Sequence, residues 1–175
     1  MKGLTAPVRQ SLVQRKQRPA APVSGINKTI AVDIAHAMNV VLADVAALFQ
    51  KTKNCYWYMR EPHTRDYLRL LDDQADELYA MADQLVECMR KTGGKMLPAI
   101  GVFVGMRKVP DEDARAYIES SDVLAELCED NRALSARLRN VLKMCEWHCD
   151  IETASWIEIW IDKAQRRKLS LDEAC

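Results

Sequence analysis

Four carboxylates, Asp72, Asp76, Asp83 and Glu87, stand at offsets of 4, 11 and 15 from the first in a stretch without glycine or proline. On a helix with 3.6 residues per turn they fall within about half a turn of one another and share a face. Asp83 and Glu87 are one turn apart and able to ligate one hard cation together. Asp72 lies about 16 Å further along the axis at 1.5 Å per residue, so one chain cannot close such a site. Two of these helices packed antiparallel about a two-fold axis would bring Asp72 of one subunit to Asp83 and Glu87 of the other, giving two equivalent metal sites at a dimer interface. The spacing equally suits a plain solvated acidic face.

Other residue clusters offer weaker chemistry. Cys145-x-x-His148-Cys149 gathers two thiols and an imidazole if helical, suited to a soft metal such as zinc; a closed site wants a fourth ligand, and the alternative is a helix end with incidental thiols. His36 borders an apolar helix face and reads as packed, and His63 reads as local structure. The six cysteines lie in helix-like or terminal sequence of a chain that needs no staples, so free thiols are expected, with Cys175 the one most open to oxidation.

These groups need elements to position them. A chain of 175 residues, 49% hydrophobic, fills one core and is short for two, which implies one domain. Glycine and proline number six each, and few of them fall where long helices are expected. No run approaches about 20 uninterrupted apolar residues, and no apolar signal core opens the chain, so a soluble, intracellular protein with no membrane partner is expected. The formal net charge of zero conceals an asymmetry. Lys2, Arg9, Arg15, Lys16, Arg18 and Lys28 precede the first acid, leaving 19 basic against 25 acidic residues in the remainder.

Residues 1–27 contain Pro7, Pro19 and Pro22 and no sustained apolar periodicity, and read as a disordered basic arm before a domain over 28–175. Ile34, Met38, Val41, Leu42, Val45, Leu48 and Phe49 predict a first helix from Thr29 or Ile30 to Met59. Pro62 suits the first turn of a second, which carries Leu70, Leu71, Leu78, Met81, Leu85 and Met89 and stops at Gly93-Gly94. Lys95 to Ser120, with Pro98 and Pro110, reads as a long crossover containing one or two helical turns around Ile100 to Met106. Ser121 is the expected N-cap of a third helix, with Asp122 in its first turn. After a break at His148 to Ile151, a fourth helix is expected to close on Arg166, Arg167 and Lys168. The class is all-α: a ferritin-like four-helix bundle with a long crossover between helices two and three.

The stretch KTKNCYWYMREPHTRDYLRLLDDQADELYAMADQLVECMRKTGG from Lys51 to Gly94 resembles the signature of the Dps family of mini-ferritins. DVLAELCEDN from Asp122 and IETASWIEIWIDKAQRR from Ile151 resemble its third and fourth helices, so the likeness covers most of the chain after residue 27. The resemblance implies a homo-oligomer, a hollow dodecamer of the bacterial cytoplasm, associated with the nucleoid where it coats DNA. Such shells oxidise ferrous iron, store the ferric product and protect against stress, with each iron site shared across a two-fold dimer interface. It places the metal ligands on Asp72 of one subunit and on Asp83 and Glu87 of its partner, with Trp57 beside the site as an electron donor or packing indole.

The departures lie on the site itself. The two site histidines of the family fall on Tyr56 and Leu68, and its G-P-H-F loop reads Glu61-Pro62-His63-Thr64. Without two imidazoles, oxygen ligands remain, which favour weaker and less selective binding of hard cations. Ferroxidase activity is therefore expected to be weakened or lost. The alternative is a non-catalytic shell acting as a DNA-binding or structural scaffold. Arg15, Lys16 and Arg18 are the expected DNA contacts, since each phosphate neutralised adds sequence-independent affinity and a shell presents many arms. By the same resemblance, Asp150 and Asp162 are candidates for an acidic pore.

Overall fold

The computed structural model describes residues 28–59, 65–91, 120–148 and 150–174. They form four helices: α1 (Lys28–Tyr58), α2 (Arg65–Lys91), α3 (Ser120–Trp147) and α4 (Ile151–Asp172). On α1 the expected face is inside, with Ile34, Met38, Val41, Leu42, Val45 and Leu48 all buried. Two polar residues on the buried side turn back on their own helix, Asn39 donating to the Ala35 carbonyl at 2.8 Å and Thr52 to that of Leu48 at 2.8 Å. The stretch Val32–Trp57 has the length and hydropathy to cross a membrane by those measures alone, which the sequence reading did not anticipate. Its apolar face is taken up by the other helices, as befits a core helix.

Helix α2 keeps one narrow apolar stripe, Leu71, Ala75, Leu78, Met81, Leu85 and Met89, and its ends suit the dipole, with Asp66 in the first turn and Arg90 and Lys91 in the last. The expected start at Pro62 lies outside the described residues. Helix α3 already includes Ser120, so Ser121 sits within its first turn and is not the N-cap. Helix α4 is capped by Asp150, whose Oδ1 accepts from the Thr153 amide at 3.2 Å. It runs on to Asp172, past the cations expected to close it. Arg167 is 2% exposed and faces the interior, because it falls in register with Ile157, Trp160, Ala164 and Leu171.

Contacts between side chains fix the directions. Lys53 meets Asp72 and Phe49 meets Tyr79, so α1 and α2 are antiparallel. Lys51 reaches Asp130 while Asp44 pairs with Arg137, so α3 is antiparallel to α1. Trp160 to Gln84 and Cys88 to Thr153 pair α4 against α2, and Arg167 to Asn131 pairs it against α3. Each helix packs on two neighbours in the ring α1, α2, α4, α3. It follows that α2 and α3 run the same way, and the chain from Lys91 to Ser120 has to return along the bundle, about 40 Å at 1.5 Å per residue. That is the one long connection of the ferritin-like arrangement. The crossover at residues 92–119, including the turns expected around Ile100 to Met106, lies outside the described residues, as does the arm of residues 1–27.

Candidate metal centre

Charges placed toward the bundle interior are matched. Lys51 of α1 contacts Asp130 at 2.8 Å and Glu126 at 3.4 Å, both on α3. Burial pulls the Lys51 ammonium down, but its hydrogen bond to Asp130 and the two carboxylates outweigh that and leave it raised. Burial also raises the Asp130 carboxyl, partly offset by Lys51. Two turns of α1 earlier, Arg137 of α3 pairs with the fully buried Asp44. Across the bundle, Arg167 donates to Asn131 at 2.9 Å and to Glu77 at 3.3 Å. Desolvation lowers the Arg167 guanidinium from its ordinary value, and Glu77 works against it. Each of these carboxylates, from the buried Asp44 and Asp130 to the exposed Glu77, therefore faces a side-chain cation rather than a converging set of further carboxylates. Among the described residues no group of three or more His, Cys, Asp or Glu converges on one point.

The acidic stripe is outside the bundle. Asp76, Asp83 and Glu87 are exposed and Asp72 is half-exposed, because the apolar stripe of α2 claims the opposite side. Within one chain the stripe stays spread along the helix. At its N-terminal end, Asp72 Oδ1 receives a hydrogen bond from Lys53 Nζ of α1 at 2.5 Å. That hydrogen bond holds the lysine raised from its ordinary value against the opposing effect of desolvation, with the Asp72 and Asp76 charges adding to the rise. The same ammonium lies 5.3 Å from the centre of the Tyr56 ring, close enough for a cation–π contact. Tyr56 packs against the edge of the core, and Leu68 is partly buried one turn before Asp72. Trp57 is 59% exposed within one chain.

At the other end of the stripe, Glu87 is clamped by Arg90, with Nε to Oε2 at 3.0 Å and Nη2 to Oε1 at 2.8 Å. That two-point hydrogen bond lowers the carboxyl from its ordinary range. The three carried-over carboxylates are thus on the surface, but Asp72 and Glu87 already hold cationic partners. Such a set, with a phenol and an alkyl chain where nitrogen donors are expected, does not fit a tight transition-metal site as it stands. Sequence reasoning missed both cations. The i,i+3 spacing of Glu87 and Arg90 is legible on a helix; the Lys53–Asp72 pair joins two helices and has no local signal.

The remaining candidates resolve as follows. Cys145 is fully buried, and desolvation, with the nearby Asp150 charge, pushes its thiol up to about 12, the opposite of what a zinc thiolate requires. Cys149 and Cys175 lie outside the described residues; Cys55, Cys88 and Cys145 are free thiols. His36 is exposed rather than packed, since it is on the outer side of α1. Asp150 is 6% exposed and occupied with capping α4, whereas Asp162 is exposed and paired with Arg166. His63, Arg15, Lys16 and Arg18 lie outside the described residues.

Comparison with known proteins places this geometry. The profile of the ferritin family, described as a ferritin-like domain, matches residues 35–173. No curated protein matches the chain at a significant level of sequence similarity. DpsC from Streptomyces coelicolor superposes with a TM-score of 0.82 at 19% identity, covering 89% of this chain and 90% of that one. The Dps protein of Vibrio cholerae O1, described as a member of a broad superfamily of ferritin-like diiron-carboxylate proteins, superposes at 0.80 with 15% identity over 90% of this chain and 98% of its own. Dps from Thermosynechococcus elongatus gives 0.78 at 17% identity over 83% and 91%. At these identities the likeness is one of fold. The match to the profile runs from the first third of α1 to the end of α4, and the chain therefore belongs to the ferritin family, with the bundle of the Dps mini-ferritins.

Proposed function

We propose that this chain is the subunit of a Dps-type shell, a homo-oligomer of the bacterial cytoplasm, that takes up iron weakly and has weakened or lost ferroxidase chemistry. The observation that carries this reading is the state of the acidic stripe: Asp72 is held by Lys53 and Glu87 by Arg90, while Tyr56 and Leu68 stand where the resemblance asks for imidazoles. The fold supports a shell subunit, since α2 presents its acidic side outward, where a second copy could meet it. Asp72 of one subunit, with Asp83 and Glu87 of the next, would then form a site of oxygen ligands only, with Trp57 exposed nearby. Iron is the cargo in this reading, stored on carboxylates inside a dodecamer. The cationic arm, through Arg15, Lys16 and Arg18, would bind DNA through phosphates in a salt-dependent way and give the shell its protective role. The second reading is a non-catalytic scaffold on DNA, favoured by the same two replacements.

The test uses metal-free protein. Its mass in solution decides the assembly: a monomer would overturn the shell. Ferrous iron oxidation with oxygen or peroxide is then compared with a Tyr56→His/Leu68→His variant. Background-level oxidation by the unmodified chain supports the proposal, and rapid oxidation refutes the loss of chemistry. Salt-sensitive retardation of duplex DNA, abolished by replacing Arg15, Lys16 and Arg18 with alanine, tests the arm.

A further inference from the structure

The disagreement between the carried-over ligand set and the side chains around it points to a specific replacement. We propose that the Lys53 ammonium occupies the cation position at Asp72, so that the chain supplies its own positive charge where the resemblance puts a metal. The inference rests on the functional reading above for its meaning but on a single chain for its geometry. Nζ is 2.5 Å from Asp72 Oδ1 and 5.3 Å from the Tyr56 ring centre, so the ammonium touches two of the positions, one ligand and one degenerate, at once. The lysine side chain is 20% exposed and that of Asp72 47%, so the pair is only partly screened by water.

The physical contest favours the lysine. An ion arriving at Asp72 must displace a charge-assisted hydrogen bond, and it meets a fixed positive charge at contact distance. With imidazoles in place a transition metal would recover that cost through strong nitrogen bonds; a phenol and a leucine offer no such return. Lysine also suits the position sterically. It sits one turn before Tyr56 on α1, so its head lies over the tyrosine ring as it reaches Asp72 of α2. A bare surface ion pair of no consequence would have neither the second contact nor the placement among the carried-over residues.

The experiment is a terbium titration of the full-length, metal-free protein, read by emission sensitised by Tyr56 and Trp57. It compares the unmodified chain with Lys53→Met, Lys53→Gln, Lys53→Arg and Lys53→Met/Asp72→Asn. Helix content by circular dichroism and mass in solution are taken on the same samples. The expected result is binding about tenfold tighter or more in the Met and Gln variants, unchanged in Arg, and lost again when Asp72 is also replaced. Equal affinity in the unmodified, Met and Gln proteins overturns the proposal, as does a gain that survives Asp72→Asn. A wrong mass for the unmodified protein would overturn the shell reading alone, since Lys53, Tyr56 and Asp72 belong to one chain and the lysine comparison still reads out.

Discussion

Replacing Lys51 with methionine removes the only cation within ion-pair distance of Asp130 and Glu126 among the described residues, and leaves a carboxylate whose side chain is 9% exposed. Breaking a buried pair by deleting one partner typically costs about 3–5 kcal/mol. Lys51 and Glu126 are partly exposed, at 20% and 30%, so solvent screening brings the expected loss to about 2–3 kcal/mol. For a chain of this size that lowers the melting temperature by about 5–10 °C. The pH dependence identifies the cause. Asp130 is already raised by burial, and losing Lys51 raises it further. The folded state then binds a proton that the unfolded state releases, so stability grows as pH falls through the folded value. The deficit of Lys51→Met should therefore shrink between pH 7 and pH 5, and adding Asp130→Asn should recover most of it at pH 7. Melting is followed by circular dichroism at fixed subunit concentration, because assembly contributes to apparent stability. A variant melting within about 2 °C of the unmodified protein, or a deficit indifferent to pH and to Asp130→Asn, would refute the reasoning.

Cys145, pushed up to about 12, and Cys55, pushed up to about 11, should resist a disulfide reagent at pH 8 in the folded protein and react once it is unfolded. Because an unfolded thiol ionises near about 8.5, the contribution of Cys145 is complete below that pH and is lost as pH rises towards 12. Cys145→Ala should accordingly flatten the fall in stability between pH 9 and pH 11 relative to the unmodified chain, and an unchanged slope would contradict this. Asp150→Ala should cost about 0.5–2 kcal/mol by removing the α4 cap, with Asp150→Asn close to the unmodified protein in a thermal melt. Trp160→Phe should cost about 1–3 kcal/mol, since the fully buried indole donates to Gln84 Oε1 at 3.0 Å and stacks on Trp156; chemical denaturation measures it, and a neutral result would mean the core refills.

The positions of the four helices were readable in the order of residues because each has to bury one stripe, and the 3.6-residue period that does so is a local property. Ile34 to Leu48 and Leu71 to Met89 are buried as that period requires. Helix ends were less legible. Ser121 looked like a cap, yet α3 begins before it, and Arg166, Arg167 and Lys168 looked like a closing cluster, yet α4 continues to Asp172. Charged side chains carry no local mark of whether they finish a helix or turn into the bundle, and Arg167 turns inward because Glu77 and Asn131 on two other helices receive it.

The same division runs through the candidate site. By itself the sequence determined the acidic stripe of α2, the replacement of two expected imidazoles by Tyr56 and Leu68, and the resemblance that joins them, all of which depend on residue identity and spacing along one helix or one motif. Only the tertiary structure decided what those carboxylates meet. Lys53 and Asp72 are neighbours solely because α1 and α2 run antiparallel in one particular register, and Lys51, Asp44, Arg137 and Arg167 find their partners through the same packing. Which cation answers which carboxylate is a matter of distances between helices, and these are set by how the apolar stripes interlock rather than by anything written along a single one.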